Sequence, residues 1–259
     1  MSKWIIQHTK LLTWLFIAID AVFAFLFAYF EILKPIYIFI IYMIAIIAFV
    51  AIVNTISIKY FKKIMAEFEQ TCKPQQIIEY LNICYKNNPK NIVNQMNYVV
   101  ALMLDKNNMQ TARMLMETMQ IDKIPEKSAN LRYIYYNNLC LIYIDLNELD
   151  KAEDAYIKAL DYNNKIKQPL FKLKNQAKLS SLACELATKK NNIEEALTYL
   201  PKLKKETLLE RVSYALHLGR IYIAQNEIEK AREQLSFAVE HASEICDGQE
   251  AKELLLNLS

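Results

Sequence analysis

The stretch YNNLCLIYIDLNELDKAEDAYIKAL, residues 136–160, decides how the chain is read. Tyr136, Leu139, Cys140 and Tyr143 stand at i, i+3, i+4 and i+7, the spacing of one apolar helix face. After Asn147 a second such face begins with Leu149 and Ala152 and continues through Tyr156, Ala159 and Leu160. Asn tolerates turn geometry, so Asn147 marks the bend between two paired helices. Cys140 and Ala152 are small enough to let the pair approach closely, while Tyr143 and Tyr156 fill the space between one pair and the next. A pair built this way leaves an apolar face that only a neighbouring pair can bury.

Neighbours of that kind lie on both sides. Downstream, Leu218-Gly219-x2-Tyr222 leads to Asn226, Ile228, Ala231, Leu235 and Ala238. Three weaker units share the phase. Val99-Val100-x2-Met103 leads to Ala112, Met116 and Met119, with a bend at Asn107-Asn108. Ala183-Cys184-x2-Ala187 leads to Ala196, Leu200 and Leu203, with a bend at Asn191-Asn192. Phe61, Met65 and Phe68 lead to Ile77, Leu81 and Cys84, and Pro89 closes that unit.

The two best units resemble the tetratricopeptide repeat, W-x2-L-G-x2-Y…A-x3-F, with Tyr136 for the first aromatic and Ala215 where the second unit lacks one. The unit spacings are about 35, 40, 44 and 35 residues, against about 34 in that family. The extra residues near 121–131 and 165–178 are expected to lengthen helices or linkers. A final helix over 249–258 is expected to cap the stack through Leu254, Leu255, Leu256 and Leu258.

The resemblance implies that the first helix of each pair lines a concave groove for a peptide or partner helix. It implies Asn97, Tyr98 and Ala101 there, then Asn137, Asn138 and Leu141, then Lys178, Ser181, Leu182 and Glu185, then Ser213, Leu216, His217 and Arg220. Some members of the family clamp a C-terminal carboxylate. Asn138 and Lys178 match two positions of that clamp, but Asn97, Ala101 and Leu182 depart from it, so that mode of binding is not expected.

The first sixty residues are of another kind. Residues 11–30 and 36–58 are two apolar runs, each about long enough to span a bilayer as a helix. Their five-residue connection makes them an antiparallel hairpin. Lys3 and Lys10 precede the first run and Lys59, Lys62 and Lys63 follow the second, which sets both ends in the cytoplasm. The fold expected is therefore all-α: a two-span transmembrane helical hairpin followed by a tetratricopeptide-like α-solenoid. The division is a cytoplasmic segment over 1–10, the hairpin over 11–58 and the repeat domain over 59–259. Asp20 is the expensive residue of the hairpin, since a carboxylate near mid-membrane costs at least ~2.5 kcal/mol if charged. Counting depth sets it beside Phe49 and Val50, with Asn54 about one turn away. It is expected to be protonated or to pair with another protein or another copy of the chain.

The rest narrows the chemistry. With 31 Lys and Arg against 28 acids and only two glycines, the chain has neither a broad basic field for nucleic acid nor a phosphate-binding loop. Five cysteines without a C-x-x-C pair read as reduced thiols, and three scattered histidines give no metal-ligand spacing. No catalytic set, metal or cofactor is expected. Lys165, Lys167, Lys172, Lys174 and Lys178 form a basic stretch with no acid between Asp161 and Glu185. It reads first as a solvated helix face and second as a contact for anionic lipid or an acidic protein. The leading expectation is a membrane-anchored scaffold that binds a protein or peptide. The alternatives are an accessory subunit acting through the hairpin and a peptide-responsive sensor.

Overall fold

The computed structural model describes Trp4 and residues 8–29, 34–125 and 128–258, and every regular element among them is helical. The turn expected at 31–33 and most of the segment 1–10 lie outside the described residues.

Helix α1 (Thr9–Tyr29) packs antiparallel on the first part of α2 (Pro35–Thr71). The Phe16 and Phe49 rings stack with centroids 4.3 Å apart. Both helices are long and apolar enough to cross a membrane. Through Ile58, only Ile38 and Val53 are buried among the described residues of the pair. Thr13 and Thr55 turn their hydroxyls back onto the carbonyls of Thr9 and Ala51, so these two donors are met within their own helices. Phe16, rather than Asp20, sits across from Phe49. Asp20 lies about one turn further on, because the stacked rings fix the register.

The boundary expected at residue 58 is not a break. Pro35 opens α2 at a position where no N–H is needed. The helix then runs 37 residues without interruption, past Lys59, Lys62 and Lys63. It ends at Cys72, which is left-handed (φ 53°) and donates its N–H to the Phe68 carbonyl at 2.8 Å.

Consecutive helices then pair in a solenoid-like stack. The second part of α2 pairs with α3 (Gln75–Asn87), and α4 (Ile92–Met103) with α5 (Met109–Thr118). Next come α6 (Ala129–Asp145) with α7 (Leu149–Asn164), and α8 (Pro169–Lys189) with α9 (Ile193–Tyr199). Last are α10 (Leu208–Ala224) with α11 (Ile228–Ala242), followed by α12 (Cys246–Asn257).

Three of the bends are one motif used three times. Asn147, Asn191 and Asn226 are left-handed, with φ of 59°, 60° and 60°. In each, the following N–H reaches back to the same carbonyl position: Glu148 to Tyr143, Asn192 to Ala187 and Glu227 to Tyr222, all at 2.8 Å. This is the Schellman motif, which satisfies the orphan carbonyls of a helix end. The small residues act as their spacing predicts: Cys140, Cys184, Ala152, Ala196 and Ala231 have no exposed surface. A Cβ on Gly219 would fall 2.7 Å from the Leu235 Cδ2 atom. The bend expected at Asn107-Asn108 differs. There Asp105 accepts from the Asn107 N–H at 3.1 Å and caps a 3₁₀ turn over Lys106–Asn108.

The inserted residues go to two uses. Those after α5 form a 3₁₀ turn over Ile121–Lys123, and those near 169–178 extend α8 to 21 residues. The stack also curls until its ends meet. Phe68, Ile77, Leu81 and Ala101 from the first pairs share one core with Val212, Leu216, Leu235 and Ala251 from the last. Helix α12 joins them through Leu254, Leu255 and Leu258, whereas Leu256, expected to pack, is 66% exposed because it points to the helix's outer side.

A buried charge network and an open basic cleft

Helix α12 does more than close an open end. Its first residue donates from the Cys246 N–H to the Leu104 carbonyl at 2.9 Å, and Gln249 accepts from the Lys106 N–H at 2.9 Å. Lys106 pairs with Glu253, and Gln75 bonds to Glu244 just before α12. With Cys72 in the same core as Ala251, the helix therefore lies against the ends of α2 and α4 as well as beside α10 and α11.

There it meets a network of buried charge. Arg220 of α10, 6% exposed, pairs with Glu185 of α8 at 3.0 Å and with Glu250 of α12. Lys189 reaches Glu250 at 2.8 Å. Asp145, at the end of α6, stands 4.0 Å from the Cys246 thiol, and oxygens of Asp145, Glu185 and Glu250 lie within 4.8 Å of one another. Burial pushes Glu250 up, yet Arg220 and Lys189 together hold it down at about 2. Burial and the Glu185 charge push Asp247 up to about 6, and burial with the Glu185 and Glu250 charges drives Asp145 far above the usual carboxylate range. Burial lowers His217 to about 4. Glu185 and Glu250 around one guanidinium, with Lys189, form an ion-pair network that ties α8, α10 and α12 together, and Asp145 brings the end of α6 against it. Fixing that geometry is the best-attested use of buried ion pairs.

The network takes up two of the side chains that the sequence assigns to a groove, and most of the others are at least half-buried. Glu185 and Arg220 are members of it. His217 is 2% exposed and shares its Nε2 with the Ser181 hydroxyl at 3.2 Å, while its Nδ1 has no partner. Asn137 is buried and accepts from the Tyr133 hydroxyl at 3.1 Å, and Asn138 is buried beside it. Asn97 and Tyr98 are half-buried, the Tyr98 ring stacked on Tyr85 at 4.4 Å. Only Lys178 of this set is exposed. In the hairpin, the Asp20 Oδ2 atom is inaccessible and has no hydrogen-bond partner, and Asn54 is exposed and apart from it.

Lys178 borders the part of the inner surface that stays open, a cleft of about 530 Å³ between α2, α8 and α10. Met65 and Glu69 form its α2 wall; Lys174, Lys178 and Ser181 form the α8 wall. Lys204, Thr207, Glu210, Ser213 and Tyr214 complete it. Glu210 is committed elsewhere, since it forms a capping box with Thr207 and also accepts from the Glu206 N–H at 2.9 Å. Glu210 keeps its charge in doing so, and the lining therefore sets three lysines against two glutamates, a small positive excess concentrated on the α8 wall at Lys174 and Lys178.

Sequence reading passed over Asp145, Lys189, Asp247 and Glu250. The signal was present: Asp247 and Glu250 stand at i, i+3 on a helix otherwise valued for its leucines, and such a pair shares one face. In comparison with known proteins, no family model matches the chain, and neither does any curated protein or solved structure.

Proposed function

We propose that the chain is a membrane-anchored adaptor or scaffold of tetratricopeptide type, whose helical stack recruits a protein or peptide on the cytoplasmic side. In this reading α1 and the first part of α2 are a two-span hairpin, with both termini in the cytoplasm. The observation that carries it is continuity: one helix is apolar on nearly every side through Ile58, then becomes a wall of the basic cleft at Met65 and Glu69. Lys59, Lys62 and Lys63 sit at that change, as basic residues do on the cytoplasmic side of a span. The thrice-repeated bend supports the repeat assignment. A segment carrying carboxylates would meet Lys174, Lys178 and Lys204 in the cleft. The role is binding rather than catalysis, with no cofactor and no nucleic acid.

The test is recovery of partners with the full chain in mild detergent. A defined partner should co-purify and should be lost from the chain carrying Lys174→Glu and Lys178→Glu. Recovery of the bare chain, under conditions that keep other membrane complexes intact, would overturn the adaptor reading. For orientation, a cysteine at the exposed position Lys252 should react with an impermeant reagent only after cells are opened.

The unpartnered Asp20 oxygen favours a second reading, in which the hairpin joins a membrane complex or a second copy of the chain and Asp20 finds its partner there. Asp20→Asn separates the two. Loss of assembly with an intact cleft supports the second; unchanged assembly removes it.

A further inference from the structure

The direction of the long helices brings a second surface to the level where α2 changes character. The C-terminal ends of α2, α4, α6 and α8 all gather at α12: through Cys72, which shares a core with Ala251, through Leu104 bonded to Cys246, through Asp145 beside Cys246, and through Lys189 paired with Glu250. Their N-terminal ends therefore point the same way, which for α2 is toward the apolar hairpin. At about 1.5 Å per residue, Ile58 lies about 21 Å up α2 from Cys72, and Leu170 lies about 22 Å up α8 from Glu185. The start of the extended helix α8 thus stands near the height at which the apolar run of α2 ends.

What stands there is apolar and exposed. Leu170, Phe171 and Leu173 are 64%, 48% and 68% exposed. Leu170 and Leu173 share a hollow of about 630 Å³ with Lys174, Lys202 and Lys204, the last two brought in by the turn before α10. Lys167 and Lys172 flank the same turn of helix, and Lys204 also pairs loosely with the exposed Glu206 at 3.8 Å. Large apolar side chains ringed by lysines, with the lysine stems able to bend away from the apolar surface, match the interface of an anionic bilayer.

We infer that the first two turns of α8 form a second membrane contact: Leu170, Phe171 and Leu173 enter the headgroup layer, and the surrounding lysines meet anionic lipid phosphates. The inference rests on the hairpin being membrane-spanning. It gives the stack two points of attachment, so that the basic cleft opens along the membrane surface rather than away from it. Near a surface of anionic lipid each lysine adds attraction that falls off within a Debye length, so the contact is weakened by salt.

The test uses the full chain in vesicles of phosphatidylcholine, with or without phosphatidylglycerol. An environment-sensitive fluorophore is placed on Leu173→Cys or on Ile44→Cys inside the hairpin, with the unsubstituted chain as the labelling blank. Nitroxide carried on the lipids should quench the Ile44 site in both vesicles. A headgroup-level nitroxide should quench the Leu173 site severalfold more strongly with phosphatidylglycerol than without. Lys167→Glu, Lys172→Glu and Lys174→Glu together should abolish quenching at Leu173 and spare Ile44. A Leu173 label that stays in water, or is quenched equally in both vesicles, while Ile44 is quenched, overturns this contact and leaves the anchor standing. An unquenched Ile44 overturns the anchor, and the contact with it.

Discussion

The apolar hairpin and the helical stack spend the same residue types in opposite ways. In α1 and the first part of α2, Ile44, Ile47 and Phe39 are exposed, whereas in the stack Ile142, Ile144 and Leu235 have none of their surface in contact with solvent. Polar groups differ in the same sense. The hairpin's threonines bond their own helix and the Asp20 Oδ2 atom bonds nothing, while in the stack the buried Arg220 pairs with both Glu185 and Glu250. The lesson is that the stack is organised against water and the hairpin is not.

The largest expected effect probes the charge network. Arg220→Ala strips Glu185 of its cation and leaves Glu250 with Lys189 alone, and should destabilise the stack by about 3–5 kcal/mol. Thermal melts of the full chain in detergent, followed by circular dichroism, would read it. Arg220→Met combined with Glu185→Gln and Glu250→Gln should recover much of the loss. A small effect of Arg220→Ala alone would mean that water already reaches the site.

The second contrast sets the two regions side by side. Ile142→Ala should cost about 2–5 kcal/mol through a cavity, whereas Ile47→Ala in the hairpin should leave the melting of the stack unchanged. Equal losses at both positions would erase the distinction drawn above.

A third variant series tests whether the repeated bend is a motif or a coincidence. Asn147→Ala, Asn191→Ala and Asn226→Ala should each lose about 1–2 kcal/mol, the penalty for a side chain without local hydrogen bonding in the left-handed region. Glycine at the same sites should be tolerated or stabilising. Similar losses at all three would sharpen the case for one repeated unit.

The smallest effect is a pH slope. The folded chain holds a proton on Asp145 that the unfolded chain releases above its ordinary value of 3.8. That group therefore subtracts stability as pH rises from about 4. His217 acts in the other direction: its folded value of about 4 lies below the ordinary 6.5, so its contribution is present above 6.5 and is lost as pH falls toward 4. Asp145→Asn should gain melting temperature over the parent as pH rises from 4 to 8, with little difference at the acid end. A pH-independent difference would show that Asp145 titrates normally.

Much of the architecture was legible because it is periodic. Asn147, Asn191 and Asn226 announced their bends, and Cys140, Cys184 and Gly219 announced close helix contacts, since each local requirement admits few residue types. The candidate site was less legible. His217 and Arg220 occupy positions that face inward in any such repeat, but whether the inner face is open depends on where α12 folds back. That is decided by contacts more than a hundred residues apart in sequence, such as Cys246 with Leu104. Periodicity within a helix carries no information about such a return.

The unbroken course of α2 has a consequence for phase. With no hinge between Ile58 and Met65, the azimuth of the cleft about the helix axis is locked to the face that α2 turns toward α1. One residue inserted at Lys59 would swing everything beyond it by about 100° and advance it by about 1.5 Å. The stack is thus geared to its hairpin like a crank to a shaft, and a rotation at either end must appear at the other.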